Sequence, residues 1–181
     1  MTLLVGARVS LRTVAAEDED AFVRSARQSA GLHRHLIYAP TSAAAFGAYL
    51  ARFDGVRAVG FVVVLNGTGE LAGLVNINGI VDERRTGGPR AWLGFGGFAA
   101  TSGHGYVGEG VRLAVRYAFG ELGLRRLDAD VQPGNAASRR VVERAGFRPA
   151  GAAPKSIRIE GEWREHETWV LLAGDGLRKD V

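Results

Sequence analysis

The sequence predicts one α+β domain: a central mixed, mostly antiparallel sheet flanked by helices. Three observations carry this reading. Between residues 58 and 100, three strand-like runs follow one another through short polar connections, the pattern of an antiparallel meander. A strongly amphipathic helical pattern then leads into a further strand, so that a single βαβ unit follows the meander. Finally, 181 residues at 46% hydrophobic composition, with 5 prolines, supply one proper core.

Arg8 to Val14 (RVSLRTV) alternates apolar and polar residues, the period-two mark of a half-buried strand. AAEDEDAFVRSARQ carries acids in its first turn and apolar residues behind them, a helix whose dipole the acids complement. LHRHLIYAP reads as a loop, after which Thr41 and Ser42 offer N-caps to a second helix ending near Phe53. AVGFVVVL (Ala58 to Leu65) and ELAGLVNINGI (Glu70 to Ile80) are strands joined by the hairpin signal NGTG. The polar VDERRTGGP leads to RAWLGFGGFAA, a third strand. Its Gly94, Gly96 and Gly97 mark a bulge, or a close approach by another backbone or a ligand. Val111, Ala114, Val115, Ala118, Phe119 and Leu122 then fall at helical spacing, with Gly123 as C-cap. LDADV is a strand, PGN a turn, and AASRRVVERAG a short helix ended by Gly146. Phe147 to Ala150 and HETWVLLA (His166 to Ala173) give the last two strands. The expected order is β α α β β β α β α β β, with residues 1–174 as one domain and 175–181 as a frayed tail.

No apolar run approaches membrane-spanning length, and MTLLVGARVSLR lacks the basic leader of a secretory signal. With no Cys there is no disulfide, thiolate metal site or catalytic thiol. His33 and His35 are spaced i, i+2 without a nearby Cys or acidic partner, which argues against a metal. These features favour a cytoplasmic protein. A net charge of +4 admits nucleic acid, an acidic substrate or a phosphorylated cofactor as partner. The basic residues are nearly all Arg, in pairs at most (Arg84-Arg85, Arg125-Arg126, Arg139-Arg140) and without a basic tail, which argues against nucleic acid.

SGHGYVGEG, Ser102 to Gly110, spells G-x-G-x-x-G in Gly103, Gly105 and Gly108, with Asp128 twenty residues further on. Taken literally this is a dinucleotide-binding fingerprint. The order of elements argues otherwise. A Rossmann sheet needs repeated parallel crossovers with the glycine turn at the first of them, whereas this loop lies past the midpoint behind an antiparallel meander. The physics beneath the motif survives. Small residues at a helix N-terminus leave backbone N–H groups unpaired, the helix dipole adds positive charge, and glycine lets a phosphate come close. Any pyrophosphate suits such a loop, and glycines that serve only a tight turn are the alternative.

LGFGGFAATSGHGYVGEGVRLAVRYAF and VQPGNAASRRVVERAGFRPAG, read together, resemble the GNAT superfamily of acyl-CoA N-acyltransferases. More narrowly they resemble its branch of RimJ/RimL-type ribosomal-protein N-terminal acetyltransferases. SGHGYVGEG superposes without a gap on that branch's W-G-K-G-Y-A-T-E-A. Pro133, Asn135, Ser138, Glu143, Gly146 and Phe147 match P-x-N-x-x-S-x-x-v-x-E-k-x-G-F, and GEWREHETWVLLA is similar to the closing G-x-W-R-D-H and strand. The likeness covers most of the chain and implies the GNAT fold. Three departures stand in the loop: Ser102 where Gln or Arg is usual, Val107 where Gly or Ala is usual, and His104 in place of a frequent Lys. They leave the anion to backbone N–H groups rather than side chains.

What the resemblance implies is an acetyl-CoA-dependent N-acetyltransferase with acetyl-CoA as donor and no metal. Phe98, Ala99 and Ala100 would run along the pantetheine arm, with the Phe98 N–H polarising the thioester carbonyl. Gly103, His104, Gly105, Tyr106, Val107 and Gly108 would hold the pyrophosphate, and Arg139 would reach the CoA phosphates. Asn135 would bond the pantetheine amides and Ser138 would protonate the leaving sulfur. The two lie three residues apart at a helix start and face one side, which also suits a plain N-cap. Among Glu70, Glu109, Glu143 and Glu165 no residue is singled out as base, and a water chain is an alternative. His33, His35, Tyr38, Asn76, Asn78 and Trp163 are candidate walls for the amine. Its identity stays open between a protein N-terminus and a small molecule of aminoglycoside type, as do a non-catalytic CoA-binding module and a homodimer.

Overall fold

The computed structural model describes residues 3–83 and 87–175. Its strands are β1 (Leu3–Val5), β2 (Val9–Thr13), β3 (Val59–Leu65), β4 (Leu71–Glu83), β5 (Gly88–Gly97), β6 (Arg126–Val131), β7 (Arg148–Pro149), β8 (Lys155–Ile159) and β9 (Glu162–Leu172). The helices are α1 (Glu19–Gln28), α2 (Ala30–His33), α3 (Ala43–Leu50), α4 (Tyr106–Gly120) and α5 (Ala136–Arg144). The strands lie in the order β1-β2-β3-β4-β5-β6-β9-β7, with β8 paired to β9. Pairing is antiparallel throughout except between β5 and β6, which are parallel. This is the mixed sheet that the meander and single crossover predict.

Alternation places side chains on two faces. On one, Val63, Val75, Ile77, Leu93 and Leu127 meet Val111, Ala114, Val115 and Ala118 of α4. The helix lies very close: a Cβ on Gly110 would stand 2.7 Å from a Val63 methyl. On the other face Phe22 and Ala26 of α1 and Phe46 and Tyr49 of α3 cover Val62, Leu74 and Phe98. Each such large apolar side chain contributes about 1.5–3 kcal/mol when fully buried.

The structure departs from the sequence expectation mainly at the ends of elements and in the short ones; β4, for instance, runs on to Glu83 where a polar loop was expected. Leu3–Val5 pairs with β2 as an additional strand, too short to show a period. Four residues of LHRHLIYAP's neighbourhood form α2 instead of loop, His33 being the last of them. The segment before His166 forms a hairpin, β8 with the first half of β9, in which polar side chains alternate with partly buried ones. The second helix stops at Leu50, with Phe53 N–H closing a turn onto the Leu50 carbonyl at 3.1 Å. Residues 176–181 of the expected tail, and the Arg84-Arg85 pair, lie outside the described residues.

Candidate active site

The site begins where the sheet opens. β5 and β6 pair only from Arg90–Arg126 to Trp92–Asp128. Beyond Trp92, β5 continues along β4 to Gly97 while β6 continues along β9 to Val131. The wedge between them is a cavity of about 320 Å³, closed by the glycine loop, the start of α4, one face of α5 and the α2 corner.

Along an antiparallel ladder, alternate residues turn their main-chain groups to the same neighbour. The Phe98 N–H donates to the Ala72 carbonyl at 3.0 Å, while Gly97 stands opposite Gly73. Gly97 therefore turns its N–H and carbonyl away from β4, into the wedge. This corrects the sequence expectation for Phe98, whose N–H the ladder consumes and whose ring is buried edge-on against Phe22 at 5.3 Å. The Ala99 N–H is likewise taken, by Ser29 Oγ at 2.8 Å, and neither Ala99 nor Ala100 lines the cavity.

His33, expected as a wall of the amine side, stands on the wedge itself. Its Nε2 lies 2.7 Å from the Gly97 carbonyl oxygen, and its ring is buried beside Phe98. Burial holds the imidazole below its usual pKa, although the bond to the Gly97 carbonyl pulls the other way. Together Ser29 and His33 pin both sides of the strand end, one accepting from Ala99 and the other donating to Gly97.

The loop turns on Gly103 (φ 83°) and Gly105 (φ 77°), left-handed positions that a side chain strains. Gly105 is the N-cap of α4 and offers no side chain, so the N–H groups of Tyr106, Val107 and Gly108 have no intrahelical partner. Gly103, Gly105, Tyr106, Val107 and Gly108 line the cavity. His104 does not; it stacks on Tyr106 with ring centroids 5.4 Å apart and holds the Ser102 carbonyl through Nδ1 at 2.9 Å. A residue the sequence reading missed braces the loop from outside. Arg8 donates from Nη1 to the His104 carbonyl at 2.9 Å and lies over the Tyr106 ring at 5.1 Å.

Asn135 caps α5, its Oδ1 accepting the Ser138 N–H at 3.0 Å. The cap and the cavity are not alternatives, since both residues line the cavity as well. One face of α5 follows them: Ala137, Val141, Arg140 and Arg144 line the cavity, and Arg112 of α4 joins from across it. Arg139 falls on another face and pairs with Glu167 of β9 at 2.9 Å. The structure thus brings Arg140 and Arg144, not Arg139, to the cleft, and no carboxylate lines it among the described residues.

The four glutamates are elsewhere. Glu70, Glu143 and Glu165 are exposed. Glu109 is buried and accepts the N–H groups of Arg8 (2.8 Å) and Val9 (3.4 Å) and the Arg8 Nε (3.0 Å). Burial alone would raise its pKa; these bonds more than offset it and hold the carboxylate below its usual range. Asn76 and Asn78 share a strand face but bond to Tyr49 (2.8 Å) and Arg52 (3.4 Å) of the α3 side. His35, at φ 61°, stands 3.6 Å from Glu160, and Tyr38 and Trp163 are exposed; none of these lines the cleft. Asp128 is held by Arg126 at 2.7 Å within the sheet. Among the described residues no cluster of three His, Asp or Glu stands ready for a metal ion, and no helix is long and apolar enough to cross a membrane.

A parallel pair that opens beside a glycine loop at a helix start defines a known class. The chain matches the acetyltransferase (GNAT) domain over residues 8–148 and belongs to that family. It is 44% identical over 85 residues to Probable N-acetyltransferase YjcK of Bacillus subtilis, covering 47% of each chain. It is 28% identical over 106 residues to the ribosomal protein uS5-alanine N-acetyltransferase of Escherichia coli, covering 59% of this chain and 53% of that one. The chain thus spans about half the length of the curated relatives it matches. Among solved structures, the ribosomal-protein-S5-alanine acetyltransferase of Vibrio fischeri superposes with a TM-score of 0.83 at 18% identity, covering 97% of this chain and 99% of that one. RimJ of Mycobacterium smegmatis in complex with CoA-disulfide gives 0.81 at 22% identity, covering 94% and 84%.

Proposed function

We propose that this protein is an acetyl-CoA-dependent N-acetyltransferase whose acceptor is a primary amine, the α-amine of a protein N-terminus before a small molecule. The carrying observation is the union, in one cavity, of an open strand edge, a glycine loop at a helix start and three guanidiniums, with no acid among the described residues that line it. That combination fits a ligand with an amide-bearing arm at one end and phosphates at the other. The relatives named for ribosomal-protein acetylation support the choice of acceptor.

In this reading the exposed edge of β5 beside Gly97 takes the pantetheine arm, and Asn135, its Oδ1 spent on the cap, offers its amide N–H groups to the same arm. Gly103, His104, Gly105, Tyr106, Val107 and Gly108 form the pyrophosphate loop, five of them by lining it and His104 by bracing Tyr106. Arg112, Arg140 and Arg144 neutralise phosphate. The Gly97 N–H stands where the acetyl carbonyl needs a donor, and Ser138 protonates the departing sulfur. Much of the acceleration comes from holding amine and thioester in attack geometry.

Acetyl-CoA at 100 times its dissociation constant should stabilise the fold by about 2.7 kcal/mol. A thiol-release assay with N-terminal peptides and small amines side by side then identifies the acceptor. Absence of stabilisation by any acyl-CoA would sink the donor assignment; turnover of small amines alone would move the acceptor to that class.

A further inference from the structure

We propose that His33 is the general base: its Nδ1 takes the proton that the acceptor nitrogen sheds as the amide forms. The proposal rests on the acetyltransferase reading above. The strand sets the tautomer. A carbonyl oxygen can only accept, so Nε2, 2.7 Å from the Gly97 oxygen, carries the proton. Nδ1 is left with its lone pair, and among the described residues no protein donor occupies it. The residue is 7% exposed and lines the cleft together with Asn135 and Ser138. The same bond ties the base to the strand end whose N–H faces the acetyl carbonyl, so proton acceptor and oxyanion donor share one anchor.

Burial keeps the imidazole neutral, the form a base needs. Among the described residues no carboxylate lines the cleft beside it. Phe98 and Gly97 pack from the β5 end, the corner with α1 presents Ser29, and the charges across the cleft are Arg112 from α4 and Arg140 and Arg144 from α5. A weakly basic imidazole cannot strip a free ε-ammonium, which leaves the task of arriving neutral to the acceptor. An α-amine with a pKa near 8 is about a tenth neutral at pH 7; an ε-amine near 10.4 is below about a thousandth. The requirement that the acceptor arrive neutral therefore favours an α-amine.

The neutral amine nitrogen bonds to the acetyl carbon and becomes an ammonium, while the carbonyl electron pair moves to oxygen beside the Gly97 N–H. Nδ1 of His33 takes one proton from that nitrogen. The carbonyl re-forms, the C–S bond breaks, and the sulfur takes the Ser138 hydroxyl proton. The imidazolium returns its proton to Ser138 through solvent, so amine and thioester become amide and thiol with no net proton.

His33→Gln keeps an N–H donor for the Gly97 carbonyl but has no basic nitrogen; His33→Ala removes both. H33Q should bind acetyl-CoA with affinity largely unchanged, lose about 100-fold in kcat, and lose the acidic limb of the kcat profile. In the wild type that limb falls below the ordinary imidazole value near 6.5. H33A should weaken acetyl-CoA binding as well. Nitrogen-15 NMR of the 4 histidines, with H33Q as the assignment control, should show the Nε2–H tautomer and a Nδ1 resonance moved by acetyl-CoA. A Nδ1–H tautomer, or H33Q with wild-type kcat and an intact acidic limb, would overturn the base alone. Acetyl-CoA binding without turnover of any amine would overturn the transferase reading and the base with it.

Discussion

Arg8 and Glu109 stand 101 residues apart in the chain and meet twice, through the Arg8 main-chain N–H at 2.8 Å and its Nε at 3.0 Å. A carboxylate in the first turn of α4 thereby anchors the β1–β2 hairpin, and the Arg8 guanidinium continues to the glycine loop. The fit leaves no spare room: a Cβ on Gly6 would stand 2.7 Å from the carboxylate oxygen. A residue that chemistry alone nominates as a base is a structural brace.

Glu109→Gln should cost about 2 kcal/mol of stability at pH 7, the scale of hydrogen bonds to a charged group. The pH dependence carries the sign of a depressed carboxylate. Its contribution is fully present above the unfolded value near 4.3 and is lost as pH falls through the lower folded value. Urea unfolding of both proteins should show their difference shrinking toward acid pH; a difference that grows there would contradict the brace.

Neighbouring arginines should behave oppositely. Arg140→Ala and Arg144→Ala should each weaken acetyl-CoA binding about tenfold, the loss of one charge-assisted contact, and reduce its salt dependence. Arg139→Ala should leave binding nearly intact and remove only the half-exposed pair with Glu167, worth about 0.5 kcal/mol. Calorimetric titration at two salt concentrations separates the three.

Gly105→Ala places a Cβ in left-handed backbone at the N-cap of α4 and should cost about 1–2 kcal/mol. The loop is where that strain is spent, so acetyl-CoA affinity should fall more than the melting temperature does. Equal affinities would mean the loop does not touch the donor.

Ser138→Ala preserves the cap, because Asn135 bonds to the Ser138 main chain rather than its hydroxyl. Turnover should fall about 100-fold with donor affinity held, as for loss of a general acid. Single-turnover kinetics with a peptide acceptor reads this directly. Unchanged turnover would remove the hydroxyl from the reaction.

Long, periodic elements were legible from the residues: the three-strand meander, α4 with its apolar stripe, and α5 with its cap all lie where pattern and turn chemistry place them. The cap at Asn135 also follows from local spacing, whereas a place for Asn135 and Ser138 beside the donor was implied by the family resemblance alone. What escaped the sequence depends on tertiary register. Whether Phe98 or Gly97 points into the cleft is a question of ladder parity, which one residue of shift reverses. Which of the α5 arginines Arg139, Arg140 and Arg144 face the cavity turns on helix rotation, 100° per residue. Arg8 reaches the site from an element far off in sequence, and no local signal marks such a contact; His33, expected as a wall residue, meets the Gly97 carbonyl only through the fold.

Three residue pairs join β5 to β6, against six between β6 and β9. The sheet is thus two leaves sharing a narrow seam, and the missing rungs of the ladder lie in the cleft. A donor bound there supplies rungs of its own and makes the seam continuous. Amide exchange should slow on both leaves at once when it binds, in β5 and in β6, and the small molecule should register as a missing strand.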